Sequence, residues 1–366
     1  MTDHTYKVIY LTNIPVPYRE RMHELLFGAN GIDYAVIYCA ESEPNRQWQY
    51  EKGEYKKIYL SNGSRTFIHN NLNVVKYLKQ FDPDVIVSTG FSPTMIYAFF
   101  WCLVMRKKFI PSIDGTFRSE TGLTFIHKLV RKFIFRYSGS FVAPSLGSME
   151  LFKSYSIPES RIFRSCLCIE NASFSAHSDE EKKFELMFSG QLIEGKMPLF
   201  FVEVAKRIKE KIPDCKVLVI GDGPLREVVL NKLRESGISF EYAGFVQPHD
   251  LHHYYAKSRI LLFPTRRDTW GVVANEACAS GLPVITCKNA GVADDLIIND
   301  YNGYILPLEV NIWVEHTLKL LSDTVLYEKF SSNSIKAVCS FNAANACRGI
   351  IDAIQFCSNG EFVLSQ

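Results

Sequence analysis

Short runs of β-branched and aromatic residues alternate along the chain with longer stretches of helical apolar period. Tyr6 to Leu11 reads as a strand, followed by a proline-rich loop (Asn13 to Pro17) and a helix from about Tyr18. Further strands are predicted at Tyr34 to Tyr38, at Asp84 to Ser88 behind Asp82-Pro83, at Phe109 to Ile113 and at Phe141 to Ala143. Strands spaced by helices imply parallel βαβ units. The polar stretch Asn171 to Lys183 reads as a linker, after which the alternation restarts. Strands are predicted at Glu185 to Ser189, Lys216 to Ile220, Ser239 to Ala243, Ile260 to Pro264 and Pro283 to Thr286. Helices are predicted at Pro198 to Lys211, Leu225 to Glu235, Asp250 to Lys257 and Val272 to Ala279. This is an α/β pattern of two doubly wound, Rossmann-like domains in tandem. Such sheets bind ligands beyond the carboxyl ends of their strands, so the expected active site is a cleft that two such domains face.

Length and composition agree with this division. A chain of 366 residues is too long for one compact core. Hydrophobic content of 47% and charged content of 22% are ordinary for a globular protein. The net charge of +2 hides an asymmetry: residues 1–170 carry 21 Lys and Arg against 15 Asp and Glu, and the remainder 20 against 24. A basic first half suggests that this half meets an anionic surface. The near-neutral total argues against nucleic acid as a partner. The apolar run at the start, Val8 to Leu11, is far too short for a secretory signal, and the ten scattered cysteines fit reduced thiols. A cytoplasmic location is therefore expected. Met95 to Met105 is the longest apolar run and falls short of the roughly 20 residues that cross a bilayer. Phe125 to Tyr137 is aromatic and basic: Lys128, Arg131, Lys132 and Arg136 can share a helical face, with Leu129 and Phe133 among the apolar residues opposite. Such a helix suits an anionic membrane surface or an ordinary surface position on the sheet.

The densest chemistry lies in Pro264 to Ile285. A strand ends at Pro264, a polar loop carries Arg266, Arg267 and Asp268, and Gly271 opens a helix ending near Ser280-Gly281. The helix start, at Val272 and Val273, offers free backbone N–H groups and a positive dipole end to a phosphate. Asp268 precedes the helix and Glu276 follows it after seven residues. Two carboxylates so placed can accept hydrogen bonds from sugar hydroxyls, one on a transferred sugar and one on a ribose. The joint pattern outweighs an N-cap role for Asp268 and a solvated helix face for Glu276.

This segment resembles the retaining family 4 glycosyltransferases of GT-B fold, whose signature is E-x7-E followed by A-x-A-x-G-x-P-V-I. Glu276, Ala277, Ala279, Gly281, Pro283, Val284 and Ile285 match, and Asp268 stands where the family usually has its first Glu. The charge is kept and the reach shortens by one methylene. Ser189-Gly190-Gln191-Leu192 through Lys196 is similar to the family's phosphate motif, with Gln191 in place of Arg and Lys196 as the diphosphate cation. Gly221-Asp222-Gly223-Pro224 resembles its glycine loop near the nucleotide, and Ala243-Gly244-Phe245-Val246 the segment bordering the base. The order of these matches from about residue 185 to 308 adds specificity. Asn13 to Arg19 resembles an N-terminal loop of members acting on bacterial surface polysaccharides, and Asp114 takes the place of a cleft histidine that holds acceptor or donor sugar.

The resemblance implies a GT-B enzyme: an acceptor domain at residues 1–170, a nucleotide-sugar domain at 184–342, and a segment 343–366 whose helix (about Ala343 to Phe356) crosses back to the first. It implies sugar transfer with anomeric retention from a UDP- or GDP-sugar to a glycan acceptor, lipid-linked in the family's usage, at the inner membrane face. No metal or other cofactor is expected, because Asp82-Pro83-Asp84 precedes its strand instead of following it, and His249, His252 and His253 lack a further ligand set. Two alternatives stay open: a nucleotide-sugar 2-epimerase of the same fold, and an inactive homologue that only binds nucleotide.

Overall fold

The structure, a computed structural model, describes residues 5–43, 47–62, 68–120, 122–175 and 181–359. The chain divides into two compact units, Met1–Leu167 with Ala343–Gln366, and Cys168–Asn342. The expected change of domain at 170 and the expected linker both meet a helix there. Asn171–Ser175 is helical and part of the second unit, with Phe174 buried. Its polar sequence is explained by capping work: the Asn171 side chain donates to the Val338 and Phe341 carbonyls at 3.1 Å each. The rest of the expected linker, 176–180, lies outside the described residues, and Lys183 already bonds the second unit through Lys257 O.

The first unit begins β1 (Tyr6–Thr12), α1 (Pro17–Phe27), β2 (Ile32–Tyr38), β3 (Lys56–Tyr59), α2 (Val74–Phe81), β4 (Val85–Ser88), α3 (Pro93–Met105) and β5 (Lys108–Pro111). It continues α4 (Phe117–Glu120), α5 (Phe125–Arg136), β6 (Phe141–Ala143), α6 (Leu146–Ser154) and β7 (Ile162–Arg164). Five strands form a parallel sheet in the order β3-β2-β1-β4-β5. Parallel strands covered on both faces read as unbroken apolar runs, and in β1 every residue from Val8 to Thr12 is buried. The parallel pair β6-β7 continues the sheet through a bridge from Ser112 to Val142.

The second unit runs α7 (Asn171–Ser175), β8 (Phe184–Ser189), α8 (Pro198–Lys209), β9 (Lys216–Ile220), α9 (Arg226–Glu235), β10 (Ser239–Gly244), α10 (Leu251–Ala256) and β11 (Ser258–Phe263). It ends α11 (Val272–Ala279), β12 (Val284–Thr286), β13 (Gly303–Ile305), α12 (Val310–Ser322) and α13 (Thr324–Val338). Its six strands are parallel in the order β10-β9-β8-β11-β12-β13. The core on one face joins Leu186, Phe188 and Val219 of the sheet to Phe201 and Ile208 of α8 and to Trp313 and Phe330. The last helix, α14 (Ala343–Asn359), packs on α1 and β7 and so belongs to the first unit. Ser140 and Ser165 donate to its Ala353 and Ala346 carbonyls, and Gly349 lies so close to Arg164 O that a Cβ there would stand 1.7 Å from it.

Tyr10, Tyr34 and Tyr38 are buried in the first sheet, and the hydroxyl of each finds a partner. Arg19 Nη1 donates to Tyr10 at 2.9 Å, His23 Nδ1 meets Tyr34 at 2.7 Å, and Tyr38 meets Tyr55, which donates to Glu20. Burial holds the His23 imidazole well below its usual range, so it is neutral.

Candidate active site

The order of the second sheet reverses between β8 and β11. The chain leaves both strands there in the same direction, and their two loops part to opposite faces, which opens a crevice for a ligand. The loop after β8 carries Gly190, Gln191 and Lys196, and the loop after β11 carries Arg266, Arg267 and Asp268. Lys196 Nζ is ion-paired with Asp268 Oδ2 across this reversal point, both side chains mostly shielded from water. Sequence placed these residues 72 apart, and the topology makes them neighbours.

Backbone contacts fix the two loops. Arg266 N and Thr265 Oγ1 both donate to Gly195 O, at 2.9 and 3.1 Å. Asp268 N donates to Asn289 O, and Gly291 N and Val292 N return to the Asp268 and Trp270 carbonyls. Gly291 is required for that fit, since a Cβ there would lie 1.9 Å from Thr269 O. Asp268 Oδ1 accepts from Trp270 N at 3.3 Å, which orients the carboxylate in its turn.

The glycines anticipated for the nucleotide divide into two kinds. Gly221 and Gly223 are needed for packing: their Cβ atoms would meet Gly190 O at 1.9 Å and Leu192 O at 2.6 Å. Gly190, at φ +148, has open space where a Cβ would be, so its backbone is approachable. The loops after β8, β9 and β10 are stitched in series by Leu192 N to Asp222 O and Gly221 N to Gly244 O. Gln191 is half-buried beside Gly190. Phe245 is exposed and Val246 half-buried just past β10. Arg267 is exposed, its N–H donating to Thr265 Oγ1. Arg266 reaches Glu194 at 3.9 Å in a solvent-exposed pair of little energetic weight.

Gly271, at φ +106, turns the chain into α11, and no side chain caps that helix. The amides of Val272 and Val273 thus form an N-terminal turn of the kind that binds anions. Glu276 sits in the middle of α11 and is buried, which rules out a solvated helix face. Its Oε2 accepts a 2.6 Å hydrogen bond from Tyr255 of α10. Burial pushes the Glu276 carboxyl up to about 7, and the Tyr255 bond acts in the opposite direction. The sequence reading missed Tyr255. The signal available was a tyrosine on the buried side of α10, whose hydroxyl had to find a partner.

Asp114 belongs to the first unit and follows β5. Arg19 Nη2 donates to its Oδ1 at 3.2 Å while the other end of the guanidinium holds Tyr10. Asp114 is therefore an oriented carboxylate on a buried cation, not a loop cap.

The raised carboxyl of Glu276 links site and stability. Its proton is held more tightly in the folded than in the unfolded chain, where a Glu titrates near 4.5. The contribution to stability is thus complete below about pH 4.5 and lost as pH climbs through about 7. Glu276→Gln cannot ionise and escapes that loss. Relative to wild type, the ligand-free variant should gain about 3 kcal/mol between pH 4.5 and pH 8. Thermal unfolding at the two pH values checks this, and a constant difference between the proteins would contradict it.

Residues 170–337 match the family model described as Glycosyl transferases group 1. The chain is 27% identical over 160 residues to a 2-deoxystreptamine N-acetyl-D-glucosaminyltransferase of Niallia circulans, covering 43% of this chain and 41% of that one. It is 26% identical over 241 residues to an alpha-monoglucosyldiacylglycerol synthase of Acholeplasma laidlawii, covering 62% and 56%. The matches thus span about half the length of these relatives. Among solved structures it is similar to HepE of Anabaena in complex with UDP, with a TM-score of 0.76 and 13% identity over 95% of this chain and 99% of the other. The protein has the GT-B glycosyltransferase fold, and its second unit matches Glycosyl transferases group 1 over residues 170–337.

Proposed function

We propose that the protein is a retaining glycosyltransferase that moves a sugar from a nucleoside diphosphate to a hydroxyl of a glycan acceptor. The observation that carries the reading is the Lys196–Asp268 pair at the reversal point of the second sheet, beside the uncapped α11. Lys196, the Gly190 backbone and the Val272 and Val273 amides offer positive charge and N–H groups for the diphosphate. Glu276 accepts the ribose hydroxyls, and Asp268 those of the transferred sugar. Phe245 and Val246 border the base. UDP is the favoured donor nucleotide, since the structurally similar HepE was solved with UDP; GDP is the alternative.

The step needs no protein nucleophile. The bond from the anomeric carbon to the β-phosphate oxygen breaks first, giving an oxocarbenium-like transition state. The acceptor oxygen bonds to the anomeric carbon on the same face, and its proton passes to the departing phosphate oxygen. The protein contributes orientation and charge stabilisation. Lys196 gains most as charge grows on the leaving group, so its effect belongs to turnover. Asp114, fixed by Arg19, orients the acceptor.

A lipid-linked acceptor in surface polysaccharide synthesis is the reading we favour, with the first unit docked on the inner membrane face. One of the similar proteins is a diacylglycerol glycoside synthase. No helix among the described residues is long and apolar enough to cross a membrane. The α5 face differs from its sequence expectation. Arg131 is not part of the exposed basic stripe: it is ion-paired with Glu120 and lies 4.8 Å over the Phe91 ring. Lys128, Lys132 and Arg136 remain exposed, next to exposed Phe125, Ile126, Leu129 and Phe133. Phe133 touches Phe100 of α3, whose exposed end adds Leu103, Val104 and Met105. Apolar side chains ringed by basic ones suit an anionic lipid surface, each basic residue contributing roughly 1 kcal/mol.

Two experiments test these readings. Lys196→Ala should lower the rate at saturating donor about a hundredfold with a smaller change in donor affinity, and wild-type transfer should persist in EDTA; an unchanged rate removes Lys196 from the reaction, and loss in EDTA restored by manganese refutes the cation assignment. Charge reversal of Lys128, Lys132 and Arg136 to Glu should abolish co-sedimentation with anionic liposomes at low salt and leave donor hydrolysis intact. Equal sedimentation of both proteins would make α5 an ordinary surface helix.

A further inference from the structure

Glu276 can serve a ribose only as a carboxylate. A neutral carboxyl has one acceptor oxygen committed to its own proton and cannot take both hydroxyls of a diol on equal terms. Yet the residue is buried, and burial alone favours the neutral form. The surrounding elements supply little compensation. Helix α7 carries no titratable side chain. On α13, Glu328, Lys329 and Lys336 are exposed, and Tyr327 donates instead to Arg259 O of β11, with the Arg259 guanidinium 4.8 Å over its ring. Strand β12 has none. On α11 itself Cys278 is a buried thiol pushed up to about 12 by burial, and so neutral. On α10, His252 packs against His253 and edge-on to Phe174, and it is Tyr255 that reaches the carboxylate.

Tyr255 is completely buried, and its phenol donates at 2.6 Å to Glu276 Oε2. Its ring is held edge-on by Phe174 of α7, centroids 5.8 Å apart. The Tyr255–Glu276 bond thus ties the buried end of α10 to the carboxylate of α11.

We propose that Tyr255 is a positioning residue that keeps Glu276 ionised and aligned for the ribose of the donor nucleotide. This rests on the donor-site reading above. It makes nucleotide affinity rise with pH through neutrality, because Glu276 must lose its proton to bind.

The test is calorimetric titration of UDP into the full-length protein from pH 5.5 to pH 9. Wild-type affinity should rise toward a plateau with a midpoint near 7. Tyr255→Phe removes the donor and should move the midpoint up by about one pH unit. At pH 7 its affinity should then fall several-fold, and at pH 9 it should return to the wild-type value. The phosphate of UDP titrates identically in both titrations and drops out of the comparison. Tyr255→Met, which also lacks a donor, should shift the midpoint in the same direction, and it carries the test alone if Tyr255→Phe does not fold. An equal loss at every pH makes Tyr255 a packing residue and overturns the proposal, as does an unshifted midpoint. Failure of wild type to bind any nucleoside diphosphate overturns the donor-site reading together with it.

Discussion

The ion pair between Lys196 and Asp268 is the constraint around which the second unit is arranged. It closes the reversal point of the sheet by holding the loop after β8 against the loop after β11. Neither side chain could stay there alone, since a half-buried charge without a partner is costly. The backbone bonds from Arg266 and Thr265 to Gly195, and from Asp268 to Asn289, hold the two loops at that separation. In the function we propose, a nucleoside diphosphate entering there competes with Asp268 for the lysine, and the carboxylate released from Lys196 becomes available to the sugar. In ligand-free protein the one contact holds both charges.

The same economy operates one turn into α11. A buried Glu lowers stability at neutral pH, and an apolar residue would pack there without that cost. Under the proposed function, that cost is the stability given up for a ligand contact. In the first unit, Arg19 plays the comparable role toward Asp114, bracing a carboxylate from beneath while satisfying Tyr10.

Much of this was legible in the sequence where local pattern dominates. Strands buried on both faces announced themselves as apolar runs, and the limits of Lys216–Ile220, Phe141–Ala143 and Val272–Ala279 agree with the expected ones. Elements without such a pattern were lost. Strand β3, Lys-Lys-Ile-Tyr, lies at a sheet edge with a half-exposed side-chain pattern, and β13, Gly-Tyr-Ile, is an edge strand that opens on a glycine. Helix α3 is apolar almost all round and shows no period. Glycines, Asp268, Glu276 and Lys196 could be nominated from motif spacing. The Lys196–Asp268 pair, the Tyr255–Glu276 bond and the removal of Arg131 from the basic stripe could not. Each depends on contacts between residues distant in the chain or on different helices, and these exist only once the sheet order is set.

The claim that Lys196 receives the terminal phosphate of the donor is tested most directly by comparing UDP with UMP. The two ligands share base, ribose and first phosphate, so their difference in affinity isolates the second. Calorimetric titration of both into wild type and Lys196→Met, at one pH and salt concentration, should show a strong preference for UDP in wild type that collapses toward equality in the variant. A preference for UDP that survives in Lys196→Met would contradict the account.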